Sequence, residues 1–184
     1  VAPFSSVLLR SESASTSMIE NLTSGATAIA LAELGSRETG NATEIAGNVA
    51  AMRAALALAR DVGGEAILAM HAALMSDEHP DLAGRWRQEQ VWIGGDSFGP
   101  HGAAFVPPHH EQVPALIDDL VAFARRTDVP LLAQTAVAHA QFETVHPFAD
   151  GNGRTGRALI HALLRGRELT RNVTVPVSAG LLAD

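Results

Sequence analysis

The sequence predicts an all-α helical bundle carrying one short β-hairpin flap. Two observations point there: apolar residues recur at three- and four-residue spacing along most of the chain, and alanine, the strongest helix former, is abundant throughout. A third supplies the flap, because strand-like residues without helical period are confined to residues 85–108. In order, the pattern gives helices at about 13–34, ending near Leu34-Gly35, and about 42–61, stopped by Gly63-Gly64. Further helices follow at about 64–76, about 111–127 after a Pro-Pro turn, about 131–145 closed by Pro147, and about 152–166. Between the third and fourth, Val91, Trp92 and Ile93 precede a Gly94-Gly95 turn and Ala104, Phe105 and Val106 follow it, the layout of a hairpin.

At 184 residues the chain is long enough to bury a core without covalent staples. It has no cysteine, which excludes disulfides and thiolate metal sites. A formal net charge of -7 argues against gripping duplex nucleic acid by broad phosphate neutralisation, while leaving room for a local anion site. No apolar run reaches membrane-spanning length and no signal-peptide order is present, so no membrane contact and a cytoplasmic location are expected. The chain starts without methionine and an apolar pattern is still running at its last residues, as in a piece cut from a longer protein.

The chemistry concentrates in HPFADGNGRTGR, residues 146–157. Pro147 ends the preceding helix, leaving the imidazole of His146 at the helix end, where it is suited to take a proton from a hydroxyl near neutral pH. Gly151-Asn152-Gly153 supplies a turn whose backbone N–H groups can converge at the start of a new helix, an anion cradle. Arg154 and Arg157 lie three apart near that same helix start, where the helix dipole disfavours cations. An outside anion or an acidic segment from elsewhere in the chain must compensate them. Asp150, beside the cradle, would repel phosphate unless a cation such as Mg²⁺ came between. Together these residues supply what transfer of a phosphorus group to a hydroxyl requires. A competing constellation is His139, Glu143 and His146, which an unbroken helix would place on one face as metal ligands; it leaves the glycine turn and the arginines unexplained.

HPFADGNGRTGR resembles the signature of the Fic domain family, HPFx[DE]GNGRxxR, at each fixed position. The likeness runs from about Ser11 to about Leu164 and includes a flap hairpin. It implies a Fic-type bundle in which His146 is the general base and Phe148, after Pro147, anchors the active loop in the core. It implies that Asp150 holds Mg²⁺, that Gly151, Asn152 and Gly153 stabilise the α-phosphate of ATP, and that Arg154 and Arg157 orient the β- and γ-phosphates. The implied activity is transfer of AMP to a Ser, Thr or Tyr hydroxyl of a target protein docked on the flap at Trp92, Ile93 and Gly94. Family members often dimerise, so a homodimer is a further expectation.

Upstream, Thr16-Ser17-Met18-Ile19-Glu20-Asn21 resembles the inhibitory pattern [ST]xxxE[GN] of self-regulating family members. On that likeness residues 1–40 form an N-terminal segment with an inhibitory helix and residues 41–184 the Fic core. Thr16, Glu20 and Asn21 are then the inhibitory residues, with Glu20 pairing with Arg157. The alternatives are removal of AMP, with Glu20 positioning a water, and a non-catalytic module that senses nucleotide or binds a partner.

Overall fold

The computed structural model describes residues 2–36, 38, 40–77, 79–95, 99–170 and 174–183. Helices dominate, as the periodicity requires: α1 (Ala2–Ile19), α2 (Ala26–Glu33), α3 (Gly40–Leu58) and α4 (Gly64–Met75) form the first half. After a long connection come a 3-10 turn (His110–Gln112), α5 (Val113–Ala124), α6 (Leu131–Val145), α7 (Asn152–Gly166) and the short α8 (Val177–Leu181). Pro114 sits in the first turn of α5, where its missing N–H costs nothing. Among the described residues no helix is long and apolar enough to cross a membrane.

Helix α7 is the axis of the bundle. All its side chains from Thr155 to Leu164 are buried, and it packs on α1, α3, α4 and α6. Phe142, Phe148, Ile67, Met70, Ile117, Leu120 and Leu159 fill the main core between α4, α5, α6 and α7. Helices α3 and α4 approach closely at Gly47, where a Cβ would come within 2.7 Å of the Leu74 carbonyl oxygen. The Gly47→Ala substitution must therefore push the two helices apart. It is expected to cost about 1–3 kcal/mol, read as a lowered midpoint in thermal or urea unfolding; an unchanged midpoint would show that this crossing gives way freely.

Two sequence expectations are corrected. The single helix at about 13–34 is two helices, and the first starts near the chain's beginning. The break follows from Asn21, which adopts the left-handed conformation (φ 60°). Its N–H bonds to the Met18 carbonyl and that of Leu22 to the Ser17 carbonyl, closing a Schellman turn that ends α1. Among the described residues the hairpin is reduced to one antiparallel bridge, Ile93 with Phe105, held by Ile93 N–H to Phe105 O (2.9 Å) and Ala104 N–H to Ile93 O (2.8 Å). Gly94 and Gly95 both take positive φ to turn the chain there, and residues 96–98 of the turn lie outside the described residues. Helix α8 has no counterpart in the sequence reading.

Candidate active site

The loop between α6 and α7 is shaped by two left-handed residues. His146, at the end of α6, has φ 48° and ψ 62°, and Gly151, before α7, has φ 75°. Glycine suits the second because φ 75° strains a residue that has a Cβ, and a Cβ there would also press on the Leu74 and Met75 side chains at 3.0 and 3.2 Å. Between them Phe148 is buried, its ring stacked on His71 at 3.7 Å and lying 5.1 Å from Trp86. The side chain of Asn152 closes the loop on itself: Phe148 N–H donates to its Oδ1 (2.9 Å) and its Nδ2 donates to the Phe148 carbonyl (2.8 Å). The side-chain amide of Asn152 is thus committed to the loop. What Asn152 presents to an anion is its backbone N–H at the start of α7.

His146, Asp150, Gly151, Gly153 and Arg154 line one cleft of about 150 Å³, together with Glu20 from beyond α1. The Nδ1 atom of His146 is buried and has no hydrogen-bond partner among the described residues. Burial lowers the imidazole pKa, and the Arg87 cation adds to this, while Glu143 and Asp150 oppose it. The proton-free form needed by a base is therefore the resting form at neutral pH. Asp150 accepts its own loop's Gly151 N–H through Oδ1 (2.6 Å), and its side chain is 55% exposed toward the cleft. Its second oxygen meets Arg154 only at 3.7 Å, so a hard oxygen donor remains beside the cradle, the type of ligand that Mg²⁺ takes.

The two arginines find the acidic compensation that the helix dipole demands. Arg154 lies 3.4 Å from Glu44 of α3. Arg157, 7% exposed, is held among the described residues by α1 and its end: Nε donates to Thr16 Oγ1 (2.5 Å), and Nη2 to the Thr16 carbonyl (3.2 Å) and to Glu20 Oε1 (2.6 Å). Glu20 also lies over the cradle, since a Cβ on Gly153 would fall 2.6 Å from its Oε1. Behind this contact stands a buried polar chain. Thr16 Oγ1 meets Ser178 Oγ at 3.0 Å, and Ser178 Oγ donates to Glu12 Oε1 at 2.6 Å. Glu12 also accepts the Ser178 N–H and meets His161 Nε2 at 2.9 Å.

The competing metal constellation is not assembled. His139 and Glu143 face each other at 3.4 Å, but the left-handed turn at His146 takes the third residue off the helix. Among the described residues the only grouping with metal-ligand spacing is His109, His110 and Glu111 in the flap's exit loop. Of the flap residues, Ile93 is 41% exposed and Trp92 partly buried, near the bridge that holds the turn.

Two supporting residues escape the sequence reading. Arg87 reaches the carbonyls at the end of α6. His71 lies in a helix whose neighbours are almost all apolar, and that context is the available signal that it is buried for a purpose. It accepts the Gly84 N–H at Nδ1 (3.0 Å), which fixes the proton on Nε2 for donation to the Asp150 carbonyl (3.1 Å). Burial lowers its pKa to about 4. The folded state thus refuses a proton that the unfolded chain accepts below about 6.5, so stability is lost as pH falls from there toward 4. Urea unfolding at pH 7 and 4.5 should show a loss on the order of 2 kcal/mol from this group, and His71→Gln should flatten the slope. An identical slope in the variant would refute the assignment.

This helical bundle, with a left-handed glycine turn leading from α6 into α7, is shared with a known family. The chain matches the Fic/DOC family over residues 62–164 and belongs to it. It is 37% identical over 98 residues to the protein adenylyltransferase fic-1 of Caenorhabditis elegans, covering 53% of this chain and 18% of that protein. It is 42% identical over 88 residues to a probable protein adenylyltransferase of Aquifex aeolicus (strain VF5), covering 43% of this chain and 28% of the other. The chain thus spans less than a third of these relatives' lengths. Among solved structures, a Fic family protein from Desulfovibrio desulfuricans G20 superposes with a TM-score of 0.72 at 27% identity, over 95% of this chain and 53% of that one. The C. elegans Fic-1 fragment gives 0.62 at 26% identity, over 83% and 46%.

Proposed function

We propose that the chain is the catalytic part of a protein adenylyltransferase, held inactive by its own N-terminal helix. One observation carries the reading: Glu20 occupies Arg157 and overhangs Gly153 in the cleft that also contains His146 and Asp150. In the reaction, a Ser, Thr or Tyr hydroxyl of the target gives its proton to His146 as its oxygen attacks the α-phosphorus of ATP. A bond forms from that oxygen to the α-phosphorus, the bond to the β-phosphate oxygen breaks, and pyrophosphate leaves. The N–H groups at the start of α7 hold the α-phosphate oxygens as charge builds on them. Mg²⁺, held by Asp150, would neutralise charge on the phosphates; Arg154 and Arg157 orient those further along. Inhibition then resides in residues 1–40 and catalysis in residues 41–184, with the flap around Trp92, Ile93 and Gly94 receiving the target and a homodimer as a form to be tested by light scattering.

Incubation with α-labelled ATP and candidate targets, or with the chain alone, tests the reading by transfer of label to protein. No transfer by any variant that binds ATP would sink it. A second reading is favoured by the presence of Glu20 in the same cleft as His146: a carboxylate there can position a water to release AMP from a modified target. Release of AMP from an adenylylated protein, lost in Glu20→Gly, would support that alternative.

A further inference from the structure

The loop carrying His146 is built on an unfavourable conformation. A non-glycine residue with φ 48° has to be held there by its surroundings. The helix end is also electrostatically demanding, because the last carbonyls of α6 have no partners within the helix. Arg87 meets both needs. Its Nε donates to the His146 carbonyl (2.8 Å) and its Nη2 to the Val145 carbonyl (3.4 Å), while its backbone N–H donates to the Pro147 carbonyl (2.9 Å). The rest of the fork reaches the flap: Nη1 donates to the Glu89 carbonyl (3.0 Å) and Nη2 to the Pro108 carbonyl (2.5 Å).

Arg87 is 4% exposed, and none of these acceptors is a carboxylate. Keeping a guanidinium buried on neutral carbonyls alone is costly, and what offsets the cost is a set of donors for carbonyls at the end of α6 and beside the flap, which no apolar side chain could supply. From this geometry we infer that Arg87 is a positioning residue, one that fixes His146 in its left-handed pose and ties the two ends of the flap to the catalytic loop. The role rests on the adenylyltransferase reading above. Its cation also lowers the His146 pKa, alongside burial. The other charged groups facing His146 are Glu143 from α6, Asp150 from the loop, Glu20 from the end of α1 and Arg154 from α7.

The test compares Arg87→Met and Arg87→Lys, each in a Glu20→Gly background, for labelling with α-labelled ATP, ATP affinity and NMR titration of the His146 imidazole. Arg87→Met is expected to lower the labelling rate about 100-fold, as misplacing a reacting group by an ångström does. ATP affinity should hold, because the cradle does not touch Arg87. The His146 midpoint should rise, moving the acid limb of the rate to higher pH. Arg87→Lys retains the charge but cannot span carbonyls from three segments, so its rate should fall while the midpoint stays. Labelling by Arg87→Met within about twofold of the parent would overturn the inference, as would a rate loss matched by lost ATP affinity with an unmoved midpoint. Should thermal melts show Arg87→Met unfolded, Arg87→Lys carries the test through the same rate and affinity readings. If the Glu20→Gly parent labels nothing, the adenylyltransferase reading fails, and the backbone NMR shifts of residues 145–147 then decide the inference: they should move in both Arg87 variants, and shifts unchanged from the parent would overturn it.

Discussion

Glu20→Gly is expected to raise the initial rate of ATP-dependent labelling roughly 10- to 100-fold, the range of a coupling worth a few kcal/mol. Two effects of the carboxylate vanish together. It stops neutralising Arg157 at 2.6 Å, and it stops crowding the Gly153 end of the cradle with negative charge. The gain is bounded because Arg157 keeps two further bonds to Thr16, through Nε and Nη2, that the substitution leaves in place. A variant that binds ATP yet labels no faster than the parent would show that this glutamate is not the brake. Rate and nucleotide affinity must therefore be measured on the same preparation.

His146→Ala, in the activated Glu20→Gly background, should abolish labelling, a loss of about 10²–10⁴-fold for a lost general base. The substitution leaves Arg154, Arg157 and the N–H groups of α7 untouched, so ATP should bind as before. The pH dependence of the unsubstituted base adds a second check. Its pKa is lowered from the usual 6.5, chiefly by burial, so the rate should already be level at neutral pH and fall only below that value. A rate still climbing between neutral and pH 8 would assign the proton transfer to another group, and labelling retained in His146→Ala would do the same.

The legibility of the sequence varied with the physics behind each part. Helices α6 and α7 and the loop between them could be read closely, because Pro147 and Gly151 act locally and their effects show in the sequence. Helix α1 could not be read through its start, for a reason visible in its packing. Among its residues with described side chains, those it buries are Glu12, Ser13, Thr16 and Ser17, so no buried apolar period marks where the helix begins. Arg87 and His71 were missed because their partners are distant in the chain: their work is fixed by the Val145–Pro147 and Asp150 carbonyls. Asn152 was read for its chemistry, yet it lies four residues from Phe148, within reach of that residue's backbone. The flap's apolar residues were found, but a single bridge was all the pairing they support among the described residues.

The inhibitory pattern itself acquires a physical meaning position by position. Asn21 supplies the left-handed residue that turns the chain directly after Glu20, a task for which glycine or asparagine is best suited. At position 16 the group must accept from Arg157 and also hydrogen-bond to Ser178, which serine or threonine can do and valine cannot.

The polar character of the α1 seat carries a consequence for reversibility. A helix seated by apolar side chains leaves a sticky scar when it lifts, and the exposed patch invites aggregation. Among the described side chains, those that α1 fully buries are hydroxyls and a carboxylate, and those it bonds on α7 are a guanidinium and an imidazole, all groups that water solvates readily. On the inhibition proposed above, this polar seat would let the N-terminal helix lift and reseat like a latch while exposing less apolar surface than an apolar seat would.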